Sequence, residues 1–113
     1  MLKKHLSEPW FSLVEQGKKI VEGRLDQGEW SKLKTGDIIE WYNSDLGIKR
    51  MIQTRVIGIL CYLSFESIIK CEGLNYILLT ISTIEEGIEV YQKIYGSEPS
   101  STILGIKLEL VQI

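Results

Sequence analysis

The chain has 113 residues, of which 44% are hydrophobic and 25% charged, and its formal net charge is −2. This size and balance predict one folded domain spanning residues 1–113, and the negative charge argues against a protein that coats polyanions indiscriminately. Because no apolar run approaches the roughly 20 residues that cross a bilayer and no apolar stretch follows the basic N-terminus, we expect a cytoplasmic protein with no membrane partner.

The first elements predicted along the chain are a short strand and a two-turn helix. Residues 3–6 favour a short strand at most. The helix is predicted to begin near Pro9 with Ser7 as its cap, and Gly17 is a natural stop. Residues 18–25 are then predicted to form a strand.

The middle of the chain favours a β-hairpin. Residues 38–42 are rich in β-branched and aromatic side chains, and residues 49–59 are predicted to return as a long strand. Gly58 is expected to mark a bulge or bend.

The C-terminal half is predicted to add two helices and a final strand. Ser64 begins the first helix, and the box from Ser82 to Glu85 is expected to cap the second, which ends at Gly96. That second helix carries an apolar stripe at helical spacing, formed by Ile84, Ile88, Tyr91 and Tyr95. The final strand alternates apolar and other residues, with Leu104, Ile106, Leu108 and Leu110 pointing inward.

This order of elements predicts an α+β fold. Strands predominate early, helices are inserted, and a strand closes the chain, so we expect a mixed, mostly antiparallel sheet. A sheet of five or six short strands in a chain of this length usually curls or closes into a barrel. The final strand should pair with strands from the first half of the chain.

The cysteine and histidine content argues against a metal site. Cys61 and Cys71 do not form a CxxC motif, and His5 is the only histidine. Two thiols and one distant imidazole make a poor ligand set for zinc, so we expect no metal and no cofactor. The cysteines are expected to be a buried, reduced pair.

The segment after the first helix is unusual for a plain strand. Lys18 and Lys19 directly follow a glycine, while Glu22 and Arg24 point to one face of an extended strand with Gly23 between them. Strict alternation places Lys18 on the face of Glu22 and Lys19 on the other. Lys19 can therefore join the acidic and basic pair only if it belongs to the turn or the strand is bulged; otherwise Lys18 is the better candidate.

The same segment resembles the ASCH (activating-signal-cointegrator homology) family. The family signature Gly-x-Lys-x-x-Glu-x-Arg, followed by Gly-Asp before the next strand, is matched by Gly17, Lys19, Glu22, Arg24, Gly36 and Asp37. Residues 63–66 and 84–91 resemble later helices of the family, and residues 105–109 resemble its last strand. The resemblance therefore covers nearly the whole chain.

The resemblance implies a PUA-like β-barrel with two to three flanking helices and a cleft that binds RNA. One branch of the family hydrolyses the amide of acetylated cytidine with a lysine, a threonine and a glutamate. Lys19 matches that lysine, but Glu22 occupies the position of the threonine. Glu72 lies downstream, in a region too variable to align.

Two functions follow as hypotheses. The first is an RNA- or nucleotide-binding module with a basic cleft after the first helix. The residues expected to bind are Lys18, Lys19, Glu22, Arg24, Trp30, Lys32 and Lys34. The alternative is a small amidohydrolase or ribonuclease-type enzyme acting on a modified nucleoside or RNA, with Lys19 and Glu22 as the catalytic pair.

The three tryptophans are candidates for stacking on bases. Trp41 alternates with core residues and is expected to be buried, and Trp10 is also expected to be mainly core. Trp30 is the best candidate for an exposed stacking platform.

Overall fold

The computed structural model describes residues 1–96 and 101–111, and their architecture is a curled, half-barrel sheet with helices packed against it. The five strands are β1 (Leu2–His5), β2 (Val21–Leu25), β3 (Ile38–Asn43), β4 (Arg50–Tyr62) and β5 (Ile103–Leu110). Their order in the sheet is β1-β3-β4-β5-β2. Only β1 and β3 pair in parallel, and the other three pairings are antiparallel.

The described residues also form four α-helices and one 3-10 helix. The α-helices are α1 (Trp10–Glu15), α2 (Phe65–Glu72), the single-turn α3 (Leu74–Ile77) and α4 (Ile84–Tyr95), and the 3-10 helix spans Gly28–Lys32. The predicted α+β fold with a mostly antiparallel, barrel-like sheet is confirmed. Within the described ranges, no helix has the length and apolar character needed to cross a membrane.

The helix caps differ in part from the predictions. Ser64 caps α2 as predicted, since its hydroxyl accepts a hydrogen bond from the backbone of Ser67. The cap predicted at Ser7 is wrong, because Pro9 occupies the N-cap position and the Glu8 carboxylate accepts the backbone N–H of Ser12. The cap of α4 is Thr83 rather than Ser82, because the Thr83 hydroxyl accepts the Glu86 N–H.

The hairpin follows the predicted patterning, whereas the last strand alternates only from Ile106 onward. Strand β4 pairs with β3, and its register on β5 shifts between Val56 and Gly58, which confirms a bulge at that glycine. Strand β5 lies between β4 and β2, both from the first two-thirds of the chain. Its residues Ile103–Ile106 are buried, because the sheet is covered on both faces there.

Two hydrophobic clusters form the core, and Trp10 packs against both. One lies around Ile39, Trp41 and Val56, and the other lies between β5 and the helices α2 and α4. The two cysteines, expected to be buried, are both free and exposed. Cys61 lies near the end of β4 and Cys71 near the end of α2, where their side chains stay in contact with solvent.

Candidate functional site

The loop before β2 decides which lysine points inward. The chain turns at Gly17, whose φ of +74° favours glycine, and the backbone N–H groups of Lys18 and Lys19 both donate to the Leu13 carbonyl. Strand β2 begins only at Val21, so Lys19 belongs to the turn and is not subject to the strand alternation. Lys19 is buried, whereas Lys18 is exposed.

Lys19 is a buried cation with a complete set of acceptors. Its side chain is 1% exposed. Its Nζ donates to the carbonyl oxygens of Val21, at 2.6 Å, and Ile77, and it lies 3.4 Å from Oε1 of Glu22. An ammonium group has three N–H donors, and three acceptors surround this one. Burial lowers the pKa of Lys19, and the neighbouring Glu22 carboxylate opposes that effect only in part.

Glu22 is held between two cations. Its second oxygen, Oε2, accepts hydrogen bonds from Nε and Nη2 of Arg24, at 3.2 and 3.0 Å. Burial raises the pKa of Glu22, but Lys19 and Arg24 together outweigh burial and hold the pKa below its usual value. Glu22 is therefore ionised at neutral pH and can act only as a hydrogen-bond acceptor.

Arg24 links the pair of Lys19 and Glu22 to β1. Its Nη2 also donates to the carbonyl of His5, at 3.2 Å. Burial lowers the pKa of Arg24, and the Glu22 carboxylate outweighs that effect and raises it. Among the described residues, Nη1 of Arg24 makes no hydrogen bond, so two of its donors remain available.

These three charged side chains line one cleft of about 200 Å³. The cleft lies between the segment joining β1 to α1, strand β2, and helix α4. Aromatic walls come from Trp10, Tyr91 and Tyr95. The remaining lining residues are His5, Leu6, Ser7, Gly23, Leu78, Val90 and Ile94.

The two tyrosines differ in how their hydroxyl groups are satisfied. Tyr95 donates to the carbonyl of Gly23, at 3.2 Å. The hydroxyl of Tyr91 is buried and has no hydrogen-bond partner among the described residues. Burial raises the pKa of Tyr91 well above its ordinary value and that of Tyr95 to about 12, so both phenols keep their proton at neutral pH.

The glycine at the centre of β2 makes room for Tyr91. A Cβ at Gly23 would lie 2.9 Å from the Tyr91 hydroxyl oxygen, which is closer than real Cβ contacts. A glycine between Glu22 and Arg24 predicts that a ligand or another backbone approaches the opposite face of the strand. The group that approaches is the Tyr91 side chain.

The tryptophans occupy three different environments. Trp41 is fully buried, as predicted, and its Nε1 donates to the Thr54 hydroxyl at 2.8 Å. Trp10 is half-buried and lines the cleft, with Nζ of Lys19 5.8 Å from its ring centroid. Trp30 is not an exposed platform, because it is half-buried and stacks on Trp41 with the ring centroids 6.0 Å apart.

Three of the lysines predicted to bind, and the glutamate that could not be aligned, lie away from the cleft. Lys18, Lys32 and Lys34 are exposed and do not line it. Glu72 instead accepts a hydrogen bond from the Tyr62 hydroxyl, at 2.5 Å. The charged cluster in the cleft comprises two cations and one anion, so its positive character is modest.

Sequence reasoning missed the part of the cleft that α4 supplies. The apolar stripe of the helix predicts that Tyr91 and Tyr95 serve only in packing. Both do pack, in a stack with Phe65. Their polar ends nevertheless reach Gly23 on β2 or the space beside it.

In the part of the chain that the structure describes, no group of three or more His, Cys, Asp or Glu residues is arranged to hold a metal ion.

Comparisons with known proteins give a family and two similar structures. The family model of the ASCH domain matches residues 5–106. A crystal structure of hypothetical protein PH0355 is 30% identical, covers 97% of this chain and 98% of its own, and superposes with a TM-score of 0.85. The solution structure of protein PF0455 from Pyrococcus furiosus is also 30% identical, covers 99% and 98%, and gives a TM-score of 0.78. No functionally curated protein matches the chain.

Proposed function

Because this chain belongs to the ASCH domain family, whose PUA-like members are generally considered to bind RNA, we propose that it binds RNA by receiving one unstacked base in the cleft. The observation that carries the proposal is an aromatic-walled cleft lined by the ionised Glu22 carboxylate and by Tyr91, whose buried hydroxyl has no partner among the described residues. Such a combination suits a flat heterocycle with hydrogen-bonding edges.

Three side chains have hydrogen-bonding capacity that the protein itself does not use. The Tyr91 hydroxyl can donate and accept, Nη1 of Arg24 can donate, and Glu22 can accept a further hydrogen bond. A buried hydroxyl without a partner costs about 1–3 kcal/mol. A ligand that supplies the partner recovers that free energy, which favours a ligand with both donors and acceptors, as every nucleobase has.

The size of the cleft favours a single base over a larger ligand. Its volume of about 200 Å³ lies below the roughly 300–1,000 Å³ typical of sites for drug-sized ligands. A base pair or a stacked duplex step does not fit into it. Sequence-specific proteins usually read RNA through splayed bases of single-stranded loops and ends, stacked on aromatic side chains.

Hydrolysis of a modified nucleoside has less support. That mechanism needs an amine at Lys19 that can take a proton or attack the substrate. All three N–H groups of Lys19 face protein acceptors, and the side chain is 1% exposed. We therefore assign Lys19 a positioning role, in which it holds Glu22 and ties β2 to the end of α3.

Calorimetric titration of the purified protein with the four ribonucleosides, a short single-stranded RNA and ribose 5-phosphate tests the proposal. We expect at least one nucleoside and the RNA to bind, and ribose 5-phosphate not to bind. Tyr91→Phe should weaken binding about fivefold, because one hydrogen bond contributes about 1 kcal/mol. Tyr76→Phe, at an exposed tyrosine outside the cleft, is the matched control and should change nothing.

Absence of binding, or equal binding by wild type and Tyr91→Phe, would refute the proposal. Incubation with acetylated cytidine gives the complementary result. Release of acetate by the wild type would favour the hydrolase instead.

A further inference from the structure

A second depression adjoins the cleft and shares two of its residues. Arg24 and Tyr95 line both spaces. This second space, the outer groove, has a volume of about 630 Å³ and is more open to solvent than the cleft. Its other lining residues are Lys4, Leu25, Gln27, Gly28, Glu29 and Trp30.

The outer groove combines an aromatic surface with two cations. Trp30 is held in place by stacking on the buried Trp41. The Arg24 guanidinium carbon lies 5.0 Å and Nζ of Lys4 5.3 Å from the centroid of the Trp30 ring. Positive groups beside an aromatic side chain are the usual means by which proteins hold single-stranded nucleic acid.

Of the two cations, Lys4 is the loosely engaged one, whereas Arg24 is held by Glu22. Lys4 pairs with Glu29 at 3.1 Å, and their side chains are 23% and 67% exposed. Exposed pairs of this kind contribute about 0–1 kcal/mol, so a phosphate can displace the carboxylate easily. Arg24 also lies where the two spaces meet, and its Nη1 is not hydrogen-bonded within residues 1–96 and 101–111.

We propose that the outer groove is a subsite for the nucleotide next to the bound base, so that the protein recognises at least two consecutive nucleotides of single-stranded RNA. This inference rests on the proposed function. Arg24 contacts the phosphate that joins the two nucleotides, and Lys4 contacts the terminal phosphate of the outer nucleotide beside Trp30. The continuity of the two spaces, the two cations and the aromatic ring favour this occupant over a peptide.

The test compares a nucleoside that binds the cleft with dinucleotides that extend it on its 3′ or 5′ side and carry a terminal phosphate on the added nucleotide. We expect one dinucleotide to bind about tenfold more tightly than the nucleoside at low salt. Lys4→Gln should remove much of that gain and lower the slope of log affinity against log salt by about 0.7, the value for one contact to a single strand. Nucleoside binding should be unaffected.

Two further variants sharpen the test. Glu29→Gln removes the carboxylate that competes with phosphate for Lys4, and it should strengthen dinucleotide binding. Lys3→Gln is the matched control, because Lys3 lies on the same strand with its side chain 67% exposed and does not line the groove. It should leave the affinity ratio of dinucleotide to nucleoside unchanged.

The two proposals fail in different ways. If Lys4→Gln and Glu29→Gln both leave that affinity ratio unchanged, or if neither dinucleotide binds better than the nucleoside, the outer subsite is refuted and the base cleft is not. If Tyr91→Phe has no effect on either ligand, the base cleft itself is refuted.

Discussion

Among the described residues, Arg24 and Arg50 each lie in a cluster of charged side chains, and the two clusters differ in the balance of charge and in the access of their carboxylates to water. In the cleft, Arg24 shares the Glu22 carboxylate with Lys19, and the Glu22 side chain is 9% exposed. At the other cluster, Arg50 lies 3.5 Å from Glu8 and 3.8 Å from Glu15, whose side chains are 25% and 45% exposed. Solvent therefore screens the charges around Arg50 far more than those around Arg24.

The two clusters also differ in what surrounds them. Arg50 packs over the ring of Phe11 and donates to Ser12 and Asn43, so it connects α1 to the β3–β4 hairpin. Each cluster includes or adjoins a buried polar atom without a partner in the described residues, Nε of Arg50 in one case and the Tyr91 hydroxyl in the other. The Tyr91 hydroxyl is the one beside a cleft. The comparison suggests that the Arg50 cluster stabilises the fold and the Arg24 cluster prepares a site.

The two clusters should differ most in the stability that is lost when each arginine loses one carboxylate partner. Glu22→Gln leaves Lys19 and Arg24 buried without a counter-charge, and breaking a buried pair in this way costs about 3–5 kcal/mol. Glu8→Gln leaves Arg50 with Glu15 and should cost about 1 kcal/mol or less. Urea denaturation of the two variants gives both values. Equal losses would mean that burial does not distinguish the clusters.

Low pH should reproduce part of the destabilisation that Glu22→Gln causes. The folded-state pKa of Glu22 lies below its ordinary value of 4.5, so its contribution to stability is complete above pH 4.5 and is lost as the pH falls through the folded pKa. The stability difference between wild type and Glu22→Gln should therefore be constant from pH 5 to 7 and shrink below pH 4.5. Urea midpoints measured at each pH check this. If the stability difference between wild type and Glu22→Gln increased below pH 4.5, Glu22 would not be the ionised group described here.

A methyl group added beside the Tyr91 hydroxyl should have an intermediate effect. Gly23→Ala places Cβ 2.9 Å from that oxygen and 3.2 Å from two ring carbons, and overpacking of this kind costs about 1–3 kcal/mol. Gly58→Ala is the control, since its Cβ would lie 3.6 Å from the flexible Lys107 side chain. Thermal denaturation compares the pair. If Gly23→Ala were as stable as Gly58→Ala, the close approach of Tyr91 would be in error.

The smallest changes in stability are expected for the two cleft tyrosines, and they should differ in sign. Tyr95→Phe removes a hydrogen bond to Gly23 and should destabilise the fold by about 1 kcal/mol. Tyr91→Phe removes a buried hydroxyl that has no partner, so stability should stay the same or rise by about 1 kcal/mol, even though binding weakens. A loss of stability in both variants, seen in urea denaturation, would indicate that Tyr91 has a structural partner.

Local patterning predicted much of the fold and only part of the site. The hairpin, the bulge at Gly58 and the alternation along the second half of β5 follow from a periodicity of two and from glycine, which are properties of neighbouring residues. The inward position of Lys19 required knowing that β2 begins at Val21, a boundary set by pairing with β5 rather than by local sequence. Strict alternation alone would have selected Lys18.

The contribution of α4 could not be predicted for a related reason. An apolar stripe identifies the buried face of a helix but not which strand lies opposite its polar ends. The hydroxyls of Tyr91 and Tyr95 reach β2 at Gly23, where the absence of a Cβ leaves room for Tyr91 and the carbonyl accepts from Tyr95. The signature of the ASCH family includes Lys19, Glu22 and Arg24, and the structure brings these three side chains together. Periodicity alone does not select Lys19.

The position of β2 at the edge of the sheet has a consequence for how the molecule folds. Among the described strands, β2 pairs only with β5, and Val21 lies opposite Lys107. Contacts between residues so distant in sequence form late and slowly, because the intervening chain must lose its freedom first. The hairpin of β3 and β4 is local and can form early. We therefore expect Glu22 and Arg24 to reach their final arrangement near the end of folding. After dilution from urea, ligand-binding capacity should then appear at the same rate as the native protein.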